Sequence, residues 1–297
     1  MTFFHSKYIG HTLRRRGASG DTSRIAAAVA GARVDLNPHQ VDAALFALRS
    51  PLSRGVLLAD EVGLGKTIEA GLVIAQRWAE GRRRILIVVP SNLRRQWHQE
   101  LAEKFFLPAE IVEARSFQMA SKSGVTRPFE PDDAVVICSY QFARNKAEDI
   151  ATTPWDLVVI DESHNFRNND VYKDRETRYQ RLMNKVIKAG VKTKVLMLSA
   201  TPVNNRFTDL RNQLALAYEG HSDALSKNLK TKTSVEEIFR RAQTAFNAWS
   251  NLPPEKRTPA AILRSLDFDF FELLDAVTIA RSRKHIETFY DTADIGK

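Results

Sequence analysis

The sequence predicts an α/β fold, in which a doubly wound parallel sheet is covered by helices and followed by a C-terminal helical insertion. The first observation is that short apolar runs recur without polar alternation, as in strands with both faces buried. These runs are 55–58, 84–90, 110–113, 134–138, 157–160 and 194–198. The second is that stretches with helical periodicity separate several of them, notably 68–78, 93–105, 141–150 and 172–189. Strands and helices that alternate in this way form parallel sheets.

Length, charge and cysteine content narrow the class of protein. The 297 residues allow one large or two ordinary domains, and 43% of them are hydrophobic, which indicates a globular chain. The formal net charge of +9 fits a polyanion partner such as nucleic acid. The single cysteine, Cys138, cannot form an intramolecular disulfide and fits a reduced, cytoplasmic protein. Because no apolar run approaches the roughly 20 residues of a membrane span, we expect no membrane association.

A glycine-spaced turn between the first strand and the next helix matches the Walker A phosphate-binding loop. Residues 60–67 are Asp-Glu-Val-Gly-Leu-Gly-Lys-Thr. Gly63 and Gly65 let backbone N–H groups converge on an anion, because no Cβ stands in the way. The helix N-terminus adds its positive dipole end, Lys66 adds a charge for the β- and γ-phosphates, and the Thr67 hydroxyl can ligate Mg²⁺. The predicted ATP-binding residues of this loop are Gly63, Leu64, Gly65, Lys66, Thr67 and Ile68.

A pair of acidic residues predicts the other half of the site. Asp161 and Glu162 follow directly on the run 157–160, and ligands of doubly wound sheets bind at the carboxyl ends of the strands. The pair should therefore lie at the same edge as Lys66. We expect Asp161 to hold Mg²⁺ through its water shell, and Glu162 to orient and deprotonate the water that attacks the γ-phosphate. The plainer alternative is a helix N-cap Asp161 with Glu162 in the first turn.

Two further details of the motifs leave alternatives open. Asp60 occupies the place where the strict Walker A motif has its leading Gly, so the loop alone also fits an ordinary turn with a surface lysine. Gln40 lies on a helix that begins at Asn37 and Pro38, some twenty residues before the loop. Its amide could recognise the N6/N7 edge of adenine, as glutamine does in DNA, or could be a solvated helix residue.

Taken together, the motifs resemble the first motor domain of superfamily-two helicase-like ATPases, specifically the Swi/Snf-type translocases. The bacterial subgroup that includes the ATPase that recycles RNA polymerase is most similar. The resemblance covers residues 36–210, and the motifs occur in the order of the family. They are 60–71, 89–93 with Gln96 and Trp97, Ser139 with Tyr140, 161–164, and 198–205. The acidic box is Asp-Glu-Ser-His, whereas many relatives have Ala at the third place. We expect that change to be small, and Trp97 to be a core residue of its helix.

The resemblance implies a RecA-like P-loop fold, ATP and Mg²⁺ as cofactors, and further site residues. Gln40 would lie in the adenine-sensing motif. His164, Ser199 and Thr201 would couple the state of the nucleotide to the grip on DNA. Loops that track one strand of duplex DNA through its phosphates would contain Pro90, Ser91, Asn92, Ser139 and Tyr140. Such contacts are independent of base sequence and sensitive to salt.

The predicted domain organisation has three parts. Residues 1–35 form a basic N-terminal arm, 36–220 the RecA-like ATP-binding domain, and 221–297 a helical insertion with a basic segment. That basic segment would lead to a second motor domain. In the family this second domain carries the arginine fingers, and we find no pattern for it in the sequence. We therefore expect a fragment of a longer protein, or a second half on another chain, and little or no ATP hydrolysis by these residues alone.

The predicted function is that of the N-terminal ATP-binding domain of an ATP-dependent double-stranded DNA translocase. A first alternative is a nucleotide-gated interaction module of a multi-protein complex, for example in polymerase recycling or in defence against foreign DNA. A second is an RNA helicase of the Asp-Glu-x-His type, which the match of the phosphate loop to the Swi/Snf form disfavours. Duplex DNA, the second motor domain and a protein complex are the expected partners.

Overall fold

The computed structural model describes residues 31–49, 55–131, 133–166, 194–199, 207–217, 229, 231 and 233–290. In this part of the chain, seven parallel strands form one sheet in the order β3-β4-β2-β5-β6-β1-β7. The strands are β1 (Gly55–Leu58), β2 (Ile85–Val89), β3 (Ala109–Ile111), β4 (Val135–Ser139), β5 (Leu157–Ile160), β6 (Lys194–Leu198) and β7 (Thr278–Ile279). The predicted doubly wound parallel sheet is confirmed.

Helices precede, connect and follow the strands. Those up to β5 are α1 (Pro38–Arg49), α2 (Lys66–Ala79), α3 (Arg94–Phe105), α4 (Ala114–Lys122), α5 (Tyr140–Asn145) and α6 (Ala147–Ala151). Those after β6 are α7 (Phe207–Ala217), α8 (Val235–Ser250), α9 (Pro259–Ser265), α10 (Phe268–Val277) and α11 (Arg283–Phe289). Short 3₁₀ helices span Ser163–Phe166 and Pro254–Lys256. No helix of the described residues is both long and apolar enough to cross a membrane.

The five central strands β4, β2, β5, β6 and β1 contribute to two hydrophobic cores, one on either face of the sheet. Along β1, Leu57 belongs to the core under α7, α8 and α10, whereas Val56 and Leu58 belong to the core under α1, α2 and α3. The other central strands alternate in the same way, because successive side chains of a strand point to opposite faces. Since both faces of these central strands are buried, they are largely apolar, and this is why their runs in the sequence show no polar alternation.

Several predicted elements have different bounds in the structure. The helix predicted over 141–150 is two helices, α5 and α6, which meet at Lys146. Thr258 and Pro259 also predict the start of a helix, and the helix expected from there to Leu274 breaks at Leu266 and becomes α9 and α10. Strand β7 was not predicted. The arm over 1–30 and the helix predicted over 172–189 lie outside the described residues.

The helical section after α7 packs on the sheet. Ser234 caps α8 by accepting a hydrogen bond from the Glu237 N–H at 3.2 Å, as its Ser-x-x-Glu pattern predicts. Phe239 of α8 and Phe270 of α10 lie edge to face, with ring centroids 5.9 Å apart, and both belong to the core under α7. This section therefore shares one core with the sheet.

Candidate active site

The phosphate loop connects β1 to α2 at the carboxyl edge of the sheet. Gly63 and Gly65 have positive φ angles of 87° and 89°, a region that residues with a Cβ rarely adopt. Gly65 is the N-cap of α2, which begins at Lys66. A Cβ on Gly65 would lie 2.3 Å from the Gln40 Nε2 atom, so only glycine fits there. The loop therefore has the cradle shape that the sequence predicts for a phosphate site.

Helix α1 is hydrogen-bonded to this loop. The Leu64 carbonyl accepts hydrogen bonds from Gln40 Nε2 and from His39 Nε2, both at 3.1 Å. A carbonyl can only accept, so the proton of His39 is on Nε2. The Gln40 Oε1 atom accepts from the Asn37 N–H at 3.2 Å. Both ends of the Gln40 amide thus have partners inside the chain, and its contact with adenine stays a prediction.

Lys66 turns its side chain back over the first half of the loop. Its Nζ atom donates to the Asp60 carbonyl at 2.6 Å and lies 3.4 Å from the Glu61 carbonyl. The ammonium group is therefore held beside the backbone of the loop, where it can contact bound phosphate oxygens.

Asp161 and Glu162 lie at the same edge, directly after β5, as the sequence predicts. Both carboxylate oxygens of Asp161 are hydrogen-bonded: Oδ1 accepts from the Glu162 N–H and Oδ2 from the Trp97 Nε1–H, each at 2.8 Å. Burial raises the pKa of Asp161, and the bond from Trp97 opposes that rise. Trp97 is 2% exposed, so the predicted core position is confirmed, but its hydrogen bond to Asp161 was missed.

Glu162 has an unusual backbone conformation that aims its side chain. Its φ angle is 50°, in the left-handed region, which costs a residue other than glycine about 1–3 kcal/mol. The Glu162 Oε2 atom lies 3.1 Å from His164 Nδ1, and the Ser199 Oγ atom lies 3.5 Å from the same nitrogen. The structure thus brings together Glu162, His164 and Ser199. Thr201, the third residue predicted to couple the state of the nucleotide to DNA binding, lies outside the described residues.

The serine at the third place of the acidic box has a partner of its own. The Ser163 hydroxyl donates to the Gln213 Oε1 atom of α7 at 3.1 Å, and neither side chain is exposed. An alanine there could not form this bond. Ser163 thereby joins the acidic box to α7, and the expectation that the change from Ala leaves Asp161, Glu162 and His164 in role stays a prediction.

Asp60 forms a buried ion pair that the sequence did not reveal. Its Oδ2 atom accepts from Arg281 Nε at 2.9 Å and from Arg281 Nη2 at 2.6 Å. Asp60 is not exposed at all, and Arg281 is 7% exposed. An aspartate at the end of a buried strand, in place of glycine, signals that some cation must lie near it. Several basic residues lie between 279 and 286, and no sequence pattern distinguishes Arg281 from the others.

Glu69 of α2 is buried beside this pair. Its Oε1 atom lies 3.6 Å from Arg281 Nη2, and neither of its oxygens has a hydrogen-bond partner within the described residues. Burial, and then the charge of Asp60, raise the pKa of Glu69 above its ordinary value. The neutral form of this carboxyl group is therefore favoured.

The residues predicted to contact nucleic acid divide into two groups. Ser91 and Asn92 are exposed after β2 and line a cavity of about 390 Å³, together with Arg94, Arg95, Ile111 and Glu113. Pro90 is half-buried beside them. Ser139 and Tyr140 are instead buried, at 6% and 7% exposure, and Ser139 caps α5 by accepting from the Phe142 N–H. The contact of these five residues with DNA stays a prediction.

The donor atoms at this edge suit Mg²⁺. The Thr67 hydroxyl, at the start of α2, and the Asp161 carboxylate are hard oxygen donors of the kind that Mg²⁺ prefers. No cluster of three or more His, Cys, Asp or Glu side chains suitable for a metal occurs in the described part of the chain. Such a sparse set fits Mg²⁺, which keeps several waters and takes its other ligands from substrate phosphates.

The fold and this edge together define a RecA-like P-loop ATPase domain. A family model described as the SNF2-related domain matches residues 39–231, and the chain belongs to that family. The predicted kinship with Swi/Snf-type helicase-like ATPases is thereby confirmed.

Two curated relatives illustrate the similarity. The RNA polymerase-associated protein RapA of Yersinia enterocolitica is 40% identical over 176 residues, which are 58% of this chain and 17% of the relative. The uncharacterized ATP-dependent helicase YqhH of Bacillus subtilis is 34% identical over 218 residues, which are 72% of this chain and 34% of the relative. The chain thus spans between about a sixth and a third of the length of these relatives.

Solved structures show the same fold. The Sulfolobus solfataricus SWI2/SNF2 ATPase core in complex with dsDNA superposes with a TM-score of 0.58 and 18% identity, over 89% of this chain and 46% of that one. The Sulfolobus solfataricus SWI2/SNF2 ATPase core domain superposes with a TM-score of 0.57 and 19% identity, over 89% of this chain and 45% of that one. At this level of identity the likeness concerns the fold alone.

Proposed function

We propose that this chain is the ATP-binding motor domain of an ATP-dependent double-stranded DNA translocase. The observation that carries the proposal is the convergence of the phosphate loop and the Asp161–Glu162 pair at one sheet edge, in a chain of the SNF2-related family. Hydrolysis of ATP at this edge would drive movement along DNA in the full-length protein.

The chain's own residues divide the work of hydrolysis. The backbone N–H groups of Gly63, Gly65 and the first turn of α2 bind the phosphates, and Lys66 adds the positive charge. Thr67 and Asp161 would hold Mg²⁺, which neutralises charge on the phosphate oxygens when bound. Glu162 accepts the proton of the attacking water. His164, which is 3.1 Å from its carboxylate, keeps that carboxylate oriented.

Duplex DNA is the partner that charge and surface favour. The chain has a formal net charge of +9, and Ser91, Asn92 and Arg95 are exposed around one cavity at the carboxyl edge of the sheet. Small polar and basic groups of this kind bind phosphates without reading base sequence. We infer that DNA passes over this edge and that binding weakens steeply with salt.

The second candidate is a nucleotide-gated module that acts on a protein complex. The observation in its favour is the 40% identity to a relative named for its association with RNA polymerase. In that case a protein partner, and not duplex DNA, would stimulate hydrolysis.

The test is the ATPase rate of the full-length protein with and without duplex DNA, beside the variant Glu162→Gln. We expect duplex DNA to stimulate hydrolysis, and the substitution to lower the stimulated rate by about 10²–10⁴-fold, because it removes the general base. The matched control is Glu103→Gln, whose exposed carboxylate accepts a hydrogen bond from Gln99 Nε2 at 2.9 Å. Stimulation by RNA or by a protein partner alone would contradict the DNA motor.

A further inference from the structure

The last described segment of the chain, residues 278–290, lies against the phosphate loop. We call it the C-terminal segment; it comprises β7, Arg281 and α11. Its backbone continues the sheet past β1: the Ala59 N–H donates to the Ile279 carbonyl at 2.7 Å, and the Glu61 N–H donates to the Arg281 carbonyl at 2.9 Å. The start of the phosphate loop is therefore hydrogen-bonded through its backbone to a segment more than two hundred positions away in the sequence.

Side chains reinforce this contact at three successive loop residues. Asp60 accepts from the Arg281 N–H at 2.9 Å as well as from the Arg281 guanidinium. Glu61 accepts from the Arg283 N–H at 2.9 Å, and the Val62 carbonyl accepts from Arg283 Nη2 at 3.2 Å. These contacts hold the first half of the phosphate loop against the C-terminal segment.

The C-terminal segment also reaches the second half of the loop through α1. Arg281 Nη1 donates to the Tyr290 hydroxyl at 3.1 Å, and the Tyr290 ring lies edge to face on His39, with centroids 6.0 Å apart. His39 in turn contacts the Leu64 carbonyl. The loop is thus held at both halves by contacts that begin at the C-terminal segment.

Arg281 is placed to set the position of Lys66. The residue whose carboxylate Arg281 binds, Asp60, is also the residue whose carbonyl accepts the Lys66 ammonium group at 2.6 Å. Two guanidinium N–H groups of Arg281 hold Oδ2 of Asp60 and the Arg281 backbone N–H holds Oδ1, so Arg281 fixes both the position and the plane of the carboxylate. A shift of Asp60 would therefore move the ammonium group away from where the phosphates bind.

We propose that Arg281 is a positioning residue of the nucleotide site and that the C-terminal segment is coupled to the phosphate loop, so that ATP binding stabilises residues 278–290. This inference rests on the proposed nucleotide site. Coupling is reciprocal: if the segment improves the affinity of the loop for ATP, then ATP stabilises the segment by the same factor. The part of the full-length protein that follows residue 290 would thereby respond to whether ATP is bound.

The first measurement is amide hydrogen exchange of the full-length protein with and without ATP and Mg²⁺. We expect exchange within 278–290 to slow by at least about 5-fold when ATP binds, while the helix Val235–Ser250 exchanges at an unchanged rate. Binding is confirmed in the same samples with a fluorescent ATP analogue, and Lys66→Ala supplies the non-binding control. A protein that binds ATP without protecting the C-terminal segment overturns the coupling.

The second measurement is the Kd of the fluorescent ATP analogue for Arg281→Met. We expect an increase of at least about 10-fold, and a smaller one for Arg281→Lys, which keeps the charge but not the fork. Arg241→Met, which breaks a surface pair with Glu237, is the control that keeps the wild-type Kd.

The single variant leaves Asp60 buried without its partner, so a double variant separates positioning from folding. Asp60→Gly with Arg281→Met removes both charges and restores the strict Walker A residue. We expect it to melt near the wild-type temperature and still to bind the analogue about 10-fold more weakly. Wild-type affinity in the double variant overturns the positioning role. A wild-type protein that binds no ATP overturns the proposed function and this inference with it.

Discussion

At the scale of single residues, the acidic pair owes its geometry to contacts with neighbouring side chains and backbone groups. Trp97 and the Glu162 N–H occupy both oxygens of Asp161, so the carboxylate has a fixed plane. His164 lies on the other side of the pair, with its Nδ1 atom 3.1 Å from the Glu162 carboxylate. The two acidic side chains can therefore take separate tasks although they are adjacent in sequence.

Replacement of Trp97 by Phe tests this arrangement. The ring keeps most of the packing volume but removes the indole N–H that fixes Asp161. We expect the Mg²⁺ concentration needed for half-maximal binding of a fluorescent ATP analogue to rise about 10-fold, the usual size for a group that orients a metal ligand. Trp155→Phe is the control, because its indole donates to the Ile150 carbonyl at 2.9 Å. An unchanged Mg²⁺ requirement for Trp97→Phe would show that Asp161 needs no such support.

Ser163→Ala tests the link between the acidic box and α7. The substitution leaves the buried Gln213 without the hydroxyl that it contacts at 3.1 Å, and we expect it to lower the free energy of unfolding by about 1–2 kcal/mol. Ser123→Ala, which removes an exposed hydroxyl, should change it by less than about 0.5 kcal/mol. Urea denaturation measures both. Equal effects of the two substitutions would argue against a structural role of the Ser163 bond.

At the scale of elements, glycines decide how closely helices and loops approach each other. A Cβ on Gly71 of α2 would lie 2.1 Å from the Phe105 ring of α3, so this glycine lets the two helices pack. Gly65 does the same for the phosphate loop and α1. Both glycines lie in the stretch that resembles the family's first motif, but the one at 71 serves helix packing.

Gly65→Ala should damage nucleotide binding beyond its effect on the backbone. The residue would have to adopt a φ of +89°, and its new Cβ would lie 2.3 Å from Gln40 Nε2, so either the Gln40 amide or the loop must move. Gly81→Ala is a matched control, because its φ is +78° but no described atom lies within 4 Å of the added Cβ. We expect both to lose about 1–2 kcal/mol of stability from backbone strain. Only Gly65→Ala should weaken binding of the fluorescent ATP analogue, by more than about 10-fold; equal affinities would contradict the cradle.

At the scale of the whole molecule, one sheet with a core on each face carries every part of the candidate site. The phosphate loop, the acidic pair and the exposed residues Ser91 and Asn92 all lie at the carboxyl edge, where parallel strands present their following loops. The helical section after α7 shares the core on one face. A movement of that section would therefore displace core side chains of the sheet.

The 297 residues by themselves should hydrolyse ATP far more slowly than the full-length protein. They span only 17–34% of the length of the curated relatives, and we expect the arginine finger of a second motor domain to supply about 10³–10⁵ of the rate. The measurement is the ATPase rate of both proteins with saturating duplex DNA, with Glu162→Gln as the blank. Equal turnover numbers would mean that the site is complete within this chain.

The local patterns of the chain predict the sheet and half of the site. Strands β5 and β6 have the predicted bounds, and Lys66, Asp161 and Glu162 meet at the predicted edge. Apolar runs and glycine spacing suffice for this, because both describe a few consecutive residues. The breaks at Lys146 and Leu266 were missed, since helical periodicity continues across them.

The sequence by itself thus determined the fold class, the phosphate loop and the acidic pair. Only the tertiary structure decided that Arg281 neutralises Asp60, that Trp97 orients Asp161 and that Ser163 binds Gln213. The reason is physical: a hydrogen bond between side chains depends on which elements the strand order makes neighbours. Strand β7 follows β1 at the edge of the sheet although more than two hundred residues separate them. No pattern of apolar or polar residues within a short stretch of sequence shows that these two strands are neighbours.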